Sequence, residues 1–368
     1  MGLTFQSLRL AGWKSIRDVT LGFRPINLLI GANGAGKSNL IEFFRLLREM
    51  IGGRLQLYVH THGGPESLLH FGSKVTERIE CELRFWTNDG ADQYSAAWVP
   101  GRPTGLVFEG EWLAPPSPRD DDSSPWNRGG PTESLISRFP ENVAESKRLF
   151  GQAVARCRPF HFDDTTRSAG IRQECPVIDN RFLAPDGGNL AAMLYLFRER
   201  FPTVYARIRA AVRAVAPYFD DFALEPLRLN PNNIMLEWRT RGSEYVQGPH
   251  QLSDGTLRFI ALATVLNLPD EDRPELLILD EPELGLHPAA LAVLADLLKA
   301  ASARSTLLVA TQSALLIDHF EPADVVTVDL RDGRSTFERL DAARLAHWLR
   351  DYTLSELWEQ NVIGGGPY

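Results

Sequence analysis

The most constraining feature of the chain is a glycine-rich loop that stands between an apolar run and a helical run. Residues 31–38 read Gly-Ala-Asn-Gly-Ala-Gly-Lys-Ser, which is the complete G-x-x-x-x-G-K-[ST] pattern. The apolar stretch 26–30 comes directly before the loop, and a helical pattern over 38–50 follows it. This order predicts a buried strand, a tight loop whose N–H groups point inward, and a helix whose N-terminus attracts anions. The alternative is a glycine-rich turn that contains Lys-Ser by chance.

We call residues 31–38 the P-loop, because each residue type in it suits the binding of a triphosphate. The glycines allow the tight turn, Lys37 can reach the β- and γ-phosphates, and the Ser38 hydroxyl can ligate Mg²⁺. The nucleotide-binding residues that we predict here are Gly31, Asn33, Gly34, Ala35, Gly36, Lys37, Ser38 and Asn39. The expected cofactors are ATP and Mg²⁺.

A second motif ends in two carboxylates. Residues 275–281 read Glu-Leu-Leu-Ile-Leu-Asp-Glu, so that an apolar run precedes Asp280 and Glu281. Such a run is typical of a buried parallel strand, and ligands of open α/β sheets bind at the carboxyl ends of strands. We predict that Asp280 holds Mg²⁺, directly or through water, and that Glu281 polarises the water that attacks the γ-phosphate. Asp-Glu also commonly just ends a strand, so this prediction depends on the P-loop.

A third motif, Leu-Ser-Asp-Gly-Thr-Leu-Arg-Phe at 252–259, precedes an apolar helix over 259–268. Ser253 followed by Gly255 can form the start of a helix that binds an anion. A plain N-cap is the alternative, because Ser and Asp are ordinary capping residues.

The charge and the apolar pattern restrict the class of protein. The 368-residue chain has a formal net charge of −8, which argues against an obligate basic DNA-binding protein but leaves room for a local groove. Its apolar runs are too short for a membrane span, and its N-terminus lacks the pattern of a signal peptide. Cys81, Cys157 and Cys175 match neither a disulfide framework nor a zinc site. We expect a cytoplasmic protein that makes no contact with a membrane.

The succession of patterns predicts an α/β protein with several regions. Strand-like patterns fill 2–30, an antiparallel meander occupies 76–113, and helix and strand alternate from 251 onwards. The predicted regions are an N-terminal lobe with the P-loop and the β meander (1–113), a mobile surface insertion (114–135), a helical or lid region (136–250) and a C-terminal lobe (251–368). The first and last regions are expected to form one ATPase core, and the insertion is assigned from its Pro, Ser, Asp and Gly content.

Arginines cluster in a helical block over 189–216, which is interrupted at Pro202. They are Arg198, Arg200, Arg207, Arg209 and Arg213. Such a run can line a groove for nucleic acid or contact a partner, but it is also typical of a solvated helix face. Both interpretations stay open on the sequence alone.

In their order along the chain, these motifs resemble those of the ABC-type ATPase heads of the RecF and SMC group. After the P-loop come Leu-Ser-Asp-Gly at 252–255, Leu-Asp-Glu-Pro-Glu at 279–283 and Leu-His-Pro at 286–288. Near the N-terminus, 10–16 read Leu-Ala-Gly-Trp-Lys-Ser-Ile, which is similar to the Gly-aromatic-Lys-Ser turn of that group. Similarity to compact bacterial predicted AAA-type ATPases without a coiled coil is found at 160–165, 186–190 and 357–364.

The resemblance implies a P-loop NTPase of the α/β class, in the form of an ABC-type ATPase head with an antiparallel β subdomain and a helical signature, or lid, subdomain. It implies that Lys14 and Ser15 lie near the nucleotide, and that two copies form a homodimer with ATP sandwiched between them. The signature residues that would meet the γ-phosphate bound by the other subunit are Ser253, Asp254 and Gly255. The residues that match the D-loop and its following segment, at the dimer interface, are Glu283, Leu286 and His287.

The resemblance also places Gln312 at the position of the switch residue, which is usually His in these ATPases. Glutamine can donate a hydrogen bond to a phosphate oxygen but cannot take up a proton, so slow turnover is expected. The magnesium-coordinating glutamine of the Q-loop has no clear counterpart, and the segment with His161 and Asp163 is a candidate for that region. The alternative for His161 is a strand residue that faces solvent or a hydrogen-bonded core histidine.

Two functions of different classes follow. The first is an ATP-hydrolysing enzyme of the RecF/SMC type that acts in DNA repair or DNA processing. The second is an ATP-gated regulatory subunit that controls an operon-encoded effector, for example a nuclease, in a bacterial defence system. A transporter ATPase subunit fits less well. In that family the sequence separation between the P-loop and the signature is much shorter than the separation between residues 38 and 252 in this chain.

Overall fold

A computed structural model describes residues 2–101, 105–114, 127–128, 130–136 and 145–366. The chain forms two compact units, each built from separate stretches of sequence. The first unit comprises Met1–Pro159, Pro274–Ile278 and Arg304–Tyr368, and the second comprises Phe160–Arg273 and Leu279–Ala303. The P-loop and Gln312 therefore belong to the first unit, whereas the signature and the carboxylates of Asp280 and Glu281 belong to the second.

The described elements are as follows. The strands are β1 (Thr4–Trp13), β2 (Ile16–Gly22), β3 (Ile26–Ile30), β4 (Ile79–Thr87), β5 (Gly90–Gly101), β6 (Gly105–Ala114), β7 (Asn127–Arg128), β8 (Pro159–Phe160), β9 (Cys175–Pro176), β10 (Phe219–Phe222), β11 (Asn233–Ile234), β12 (Trp238–Thr240), β13 (Val246–Gln247), β14 (Leu276–Asp280), β15 (Thr306–Thr311), β16 (Val325–Arg331) and β17 (Arg334–Arg339). The helices are α1 (Lys37–Ile51), α2 (Leu55–Thr61), α3 (Pro65–Leu68), α4 (Glu145–Arg156), α5 (Leu190–Arg200), α6 (Pro202–Val215), α7 (Asp254–Leu266), α8 (Pro288–Ser302), α9 (Ala314–Ile317), α10 (Ala342–Leu345) and α11 (Leu354–Glu359).

One sheet of the first unit is antiparallel throughout. Its strand order is β2-β1-β4-β5-β6-β7, and β4, β5 and β6 form the meander that the pattern over 76–113 predicts. Aromatic side chains link this sheet to α1. The ring centroids of Trp13 and Phe43 are 5.6 Å apart in an edge-to-face arrangement, and those of Phe43 and Trp98 are 6.4 Å apart. This packing holds the helix that follows the P-loop.

The strand that leads into the P-loop lies inside the second sheet, whose order is β17-β16-β3-β15-β14-β8. Both β15 and β16 run parallel to β3, and Ile30 at the end of β3 pairs with Thr311 and Thr327. All residues of β3 and β15 are buried, which accounts for their largely apolar sequences. The P-loop and the segment that begins with Gln312 therefore leave the sheet at the same edge.

The second unit is built mainly from helices α5 to α8. The predicted helical block is confirmed as α5 and α6, with Pro202 at the first position of α6. Helix α6 packs against α5, α7 and α8. From Thr256 onwards α7 is buried except at Arg258, so the helix whose first turn carries the predicted signature is anchored along its length.

The predicted mobile insertion over 114–135 is only partly open to description, because 115–126 and 129 lie outside the described residues. Its last residues are held in place. The Glu133 carboxylate accepts hydrogen bonds from the backbone N–H groups of Leu55 (2.8 Å) and Gln56 (3.1 Å), which start α2. The hydroxyl of Ser134 donates to the buried carboxylate of Glu111 at 2.5 Å. Glu133 and Ser134 are therefore hydrogen-bonded to polar groups of the first unit, and the mobility of the insertion stays a prediction.

The described helices include none that is both long and apolar enough to cross a bilayer.

Candidate nucleotide site

At two positions of the P-loop, the backbone conformation or the packing can be accommodated only by glycine. Gly36, the residue before α1, has a φ of 112°. A Cβ on Gly31 would lie 2.2 Å from the carbonyl oxygen of Val328 in β16, so the start of the loop touches the neighbouring strand. The start of the loop is therefore packed against the sheet. The loop leads directly into the N-terminus of α1, where backbone N–H groups are available to an anion.

Lys37 is the buried cation of this site. Its side chain is 5% exposed, and Nζ donates to the carbonyl oxygens of Gly31 (2.5 Å) and Ala32 (3.1 Å). The ammonium group is thus held inside the curve of the loop, where a phosphate would exchange these carbonyl contacts for stronger charge-assisted bonds. Ser38, the next residue, is exposed in the first turn of α1. Both positions agree with the roles predicted for them, which stay predictions.

A group of hydrogen-bonded side chains is attached to the P-loop backbone. The Ser15 hydroxyl accepts from Asn39 Nδ2 at 2.7 Å and lies 2.6 Å from the hydroxyl of Ser335. Ser335 in β17 in turn donates to the carbonyl oxygen of Ala35 at 2.6 Å. The sequence analysis missed Ser335, because it lies 300 residues from the P-loop in a strand without a motif. Ser15 and Asn39 lie close to the loop, and their contact with the nucleotide stays a prediction.

The N-terminal Gly-Trp-Lys-Ser turn is attached to the same helix. The Trp13 indole N–H donates to the carbonyl oxygen of Asn39 at 2.7 Å. Lys14, whose φ is 46°, forms an ion pair with Glu42 of α1, and its Nζ lies 5.6 Å from the centroid of the Trp13 ring. Glu42 therefore takes up the charge of Lys14 in this structure, and a contact of Lys14 with the nucleotide stays a prediction.

Gln312 follows the strand adjacent to β3. Because Thr311 pairs with Ile30, Gln312 leaves the sheet next to the first residue of the P-loop. The backbone N–H of Ser313 donates to the Thr311 hydroxyl at 3.0 Å, and the Ser313 side chain caps α9. Gln312 is half-buried and is held between these two fixed points.

In the second unit, His161 lies against the predicted metal-binding carboxylate. His161 Nδ1 is 3.0 Å from the carbonyl oxygen of Asp280 and 3.9 Å from its carboxylate, while Nε2 is 3.4 Å from the carboxylate of Asp163. The bond to a carbonyl oxygen requires the proton on Nδ1. His161 is thus neither a solvent-facing strand residue nor a core histidine. Its assignment to the Q-loop region stays a prediction.

Glu281 has an unusual backbone conformation. Its φ is 47°, in the left-handed region that non-glycine residues seldom adopt. Such conformations are concentrated at functional sites, where the surrounding structure imposes them. The sequence alone contains no sign of this, since Asp-Glu occurs at many strand ends.

The predicted signature combines an ordinary cap with an unusually close contact. Ser253 Oγ accepts from the backbone N–H of Thr256 at 3.1 Å, so Ser253 is the N-cap of α7 and is also exposed. A Cβ on Gly255 would lie 2.4 Å from the carbonyl oxygen of Gly285 in the predicted D-loop. The signature and the D-loop are therefore packed directly on one another, whereas a contact of Ser253 with phosphate stays a prediction.

Arg172, which the sequence analysis missed, lies beneath the signature. Its buried guanidinium donates to the carbonyl oxygen of Thr165 at 2.8 Å and to the Asp254 carboxylate at 2.6 Å, and it also bonds the carbonyl oxygens of Pro249 and Leu252. The bond from Arg172 lowers the pKa of the Asp254 carboxyl group. An acidic residue in the signature is thus paired with a fixed positive charge.

Arg258, in the first turns of α7, links two loops of the second unit. It donates to the carbonyl oxygens of Phe162 (2.9 Å), Asp163 (2.6 Å) and Leu284 (3.4 Å). Leu284 belongs to the segment with the predicted D-loop residues Glu283, Leu286 and His287. His287 is exposed and caps α8 by accepting from the backbone N–H of Ala289 at 3.2 Å.

Three of the five arginines predicted on α5 and α6 form ion pairs with acidic residues, and Arg200 and Arg207 are exposed. The ion pairs and their distances are Arg198–Glu225 (3.3 Å), Arg209–Asp221 (2.6 Å) and Arg213–Asp220 (2.8 Å). A groove for nucleic acid requires cations that are free to meet phosphates. The pairing therefore favours the interpretation of a solvated helix face.

Comparisons with known proteins agree with this geometry. A family model described as "AAA domain" matches residues 7–90, which include the P-loop. A second, described as "AAA domain, putative AbiEii toxin, Type IV TA system", matches residues 177–318, which include the signature, Asp280, Glu281 and Gln312. Two proteins of Streptomyces coelicolor and Streptomyces avermitilis, each named a "putative ABC transporter ATP-binding protein", are 49% identical over 51 residues. That match spans 14% of this chain and only 18% of each relative.

Solved structures are similar over nearly the whole chain. An SMC head bound to the C-winged helix domain of ScpA has a TM-score of 0.63 and 17% identity, and the match covers 94% of this chain and 99% of that one. The SMC head domain with an extended coiled coil from Pyrococcus furiosus has a TM-score of 0.57 and 17% identity, over 95% and 99% of the two chains. These likenesses show the fold and confirm the predicted α/β P-loop NTPase class. The chain thus matches AAA-domain models over 7–90 and 177–318 and has the fold of SMC heads, in agreement with the resemblance of its motifs to the ABC-type ATPase heads of the RecF and SMC group.

Proposed function

We propose that the protein binds Mg²⁺-ATP at the P-loop, hydrolyses it slowly, and forms an ATP-dependent homodimer that acts as a timed switch. The observation that carries the proposal is the position of Lys37. A buried ammonium group that donates to loop carbonyl oxygens, at the N-terminus of a 15-residue helix, is suited to little besides an anion. The AAA-domain match over 7–90 supports a nucleotide as that anion.

The metal would be held by oxygen donors. The exposed Ser38 hydroxyl and the Asp280 carboxylate, whose side chain is 12% exposed, are hard ligands of the kind that Mg²⁺ prefers. The ion would neutralise phosphate charge when bound. Glu281 would orient and polarise the attacking water, and its imposed backbone conformation supports a fixed position for that carboxylate.

The homodimer is proposed from the second unit. Ser253 is exposed at the N-terminus of the 13-residue helix α7, where backbone N–H groups and the helix dipole favour an anion. The neighbouring D-loop exposes His287 and 41% of Leu284, as a contact surface would. We infer that this surface meets the triphosphate held by the P-loop of a second copy.

Slow turnover and regulation are proposed from Gln312 and from the paired arginines. An amide next to the phosphate can sense it but cannot carry a proton. The ion pairs of Arg198, Arg209 and Arg213 and the net charge of −8 argue against an extensive basic surface for DNA. The description "Type IV TA system" of one matched model also favours an ATP-gated subunit that controls an effector over a DNA-processing enzyme. The transporter relatives match too short a segment to support transport.

The test combines ATP binding, turnover and mass. Purified protein is assayed by calorimetry with ATP, by phosphate release with and without linear duplex DNA, and by light scattering with and without Mg²⁺-ATP. We expect ATP binding, slow phosphate release that DNA leaves unchanged, and an increase in mass with ATP. Fast turnover that depends on DNA would instead return the protein to the DNA-processing class. Failure to bind ATP would refute the proposal as a whole.

A further inference from the structure

The segment 353–366, which we call the bridge segment, contains the subfamily-like residues 357–364 that the proposed function does not use. It consists of α11 and the glycine-rich stretch that follows it. In the structure one end of the bridge segment contacts α9, the helix that follows Gln312, and the other end contacts β16 and approaches the end of β3, which leads into the P-loop. All these residues belong to the first unit.

The first end is joined to α9 by a side chain that accepts two hydrogen bonds. The carboxylate of Asp318, directly after α9, accepts from the backbone N–H of Ser355 at 2.8 Å and from its hydroxyl at 2.6 Å. Ser355 is buried in the first turn of α11, and α11 packs against α9. Because Ser313 caps α9, only this short helix separates the bridge segment from Gln312.

The second end is joined to the strands that flank the P-loop. The buried indole N–H of Trp358 donates to the carbonyl oxygen of Gly365 at 2.8 Å. The N–H of Gly365 donates to the carboxylate of Asp329 at 2.8 Å, and Asp329 is a buried residue of β16. Each of these bonds satisfies a buried polar group, so losing either partner would be costly.

Gly365 also approaches the P-loop itself. Its φ is 70°, and a Cβ at this position would lie 3.0 Å from the carbonyl oxygen of Ile30, the last residue before the P-loop. Gly366 lines a cavity of about 230 Å³ together with the P-loop residues Ala32, Asn33 and Ala35. The bridge segment therefore lies close to the residue that precedes the P-loop and lines one pocket together with P-loop residues.

We propose that the bridge segment is a positioning element that couples the P-loop to Gln312, an inference that rests on the proposed ATPase function. A shift of the P-loop on binding a triphosphate would be transmitted through Gly365 and Trp358 to α11, and from there through Asp318 to α9 and Gln312. Buried, hydrogen-bonded contacts at both ends make this route stiff. Coupling of this kind has to be demonstrated as an interaction energy between residues.

The first test uses Trp358→Phe, which removes the indole N–H but keeps an aromatic ring in the core. We expect ATP affinity, measured by calorimetry, to fall by about 5-fold, the size of one buried hydrogen bond. Gly365→Ala, which forces the base of the P-loop to move, should weaken ATP binding further. The matched control is Trp86→Phe at an exposed tryptophan of β4, which should bind ATP like the wild type.

The second test is a double-mutant cycle between Ser355→Ala and Gln312→Ala, with phosphate release as the readout. Coupling predicts that the double variant loses less activity than the product of the two single losses. Thermal unfolding of every variant separates positioning from folding. The proposal is overturned if the Trp358 and Gly365 variants melt earlier but keep wild-type ATP affinity, or if the cycle is additive. If the wild type binds no ATP, the proposed function fails instead.

Discussion

The two units present their phosphate-directed groups in opposite ways. In the first unit Lys37 is buried, and Ser15 and Ser335 fix the loop that surrounds it. In the second unit Ser253 and Asp254 are exposed, and what is buried is Arg172, which holds the backbone beneath them. The first arrangement is suited to enclosing a ligand, whereas the second is suited to contacting, through exposed polar groups, a ligand that a second molecule holds.

The difference between the two units corresponds to the two parts of a site that is completed by a second molecule. A loop that binds phosphate by itself gains affinity when it is largely ordered before the ligand arrives, since ordering it on binding has a cost in free energy. A surface that completes the site from outside must stay exposed until a second molecule arrives. Variants in the first unit should therefore affect ATP affinity, and variants in the signature should affect assembly.

The largest effect is expected for Lys37→Ala. Without the buried ammonium group nothing else in the loop neutralises the phosphates, so calorimetry should detect no ATP binding. Lys299→Ala, at an exposed lysine of α8, is the matched control and should bind ATP normally. Unchanged affinity in the Lys37 variant would show that the P-loop assignment is wrong.

Glu281→Gln should lower turnover by about 10²-fold or more while ATP still binds, because the group that polarises water is lost. Phosphate release and calorimetry on the same preparation measure the two effects. The ATP-bound dimer should accumulate and appear in light scattering with Mg²⁺-ATP. Equal hydrolysis in the variant and the wild type would mean that another group positions the water.

Ser253→Ala tests directly whether the second unit contributes to assembly and not to ATP affinity. It should leave ATP affinity unchanged and prevent ATP-dependent dimerisation in the Glu281→Gln background, as measured by light scattering. Loss of the helix cap costs about 1 kcal/mol of stability, so a variant that removes another cap is needed as the control. Asp341→Ala removes the cap of α10 and should dimerise normally. A dimer that forms equally well without Ser253 would favour a plain P-loop enzyme.

Ser335→Ala tests the support behind the P-loop. Losing the hydroxyl that bonds the Ala35 carbonyl oxygen should weaken ATP binding by about 5-fold, as expected for one hydrogen bond. Ser302→Ala, at an exposed end of α8, is the control. If both variants bind ATP equally well, the loop does not depend on this support.

The smallest effect is expected for Gln312→His. It should raise turnover or leave it unchanged, and shorten the lifetime of the ATP-bound dimer, since imidazole adds a titratable group beside the water. The pH–rate profile of the wild type should lack a limb near a pKa of about 6.5 from this position, and the variant should gain one. A wild type that already turns over fast would contradict the timer.

Helices, strands and motifs that depend on neighbouring residues could be predicted from the sequence. The helix break at Pro202 and the meander of β4 to β6 follow from local pattern and turn residues. The positions of Glu133 and Ser134 could not be predicted, because their hydrogen-bond partners lie on α2 and β6. The amino-acid composition of a segment does not indicate which distant polar groups its side chains will bond.

The sequence alone was enough to locate the P-loop, the carboxylates at the end of β14 and the helix start at Ser253, because each is a short run whose chemistry depends on adjacent residues. Only the tertiary structure decided that Ser335 supports Ala35, that His161 lies against Asp280 and that Gly365 meets Ile30. These contacts join residues from distant parts of the chain, and strand pairing and packing bring them together. A hydrogen bond has no sequence signature when its two partners are brought together only by folding.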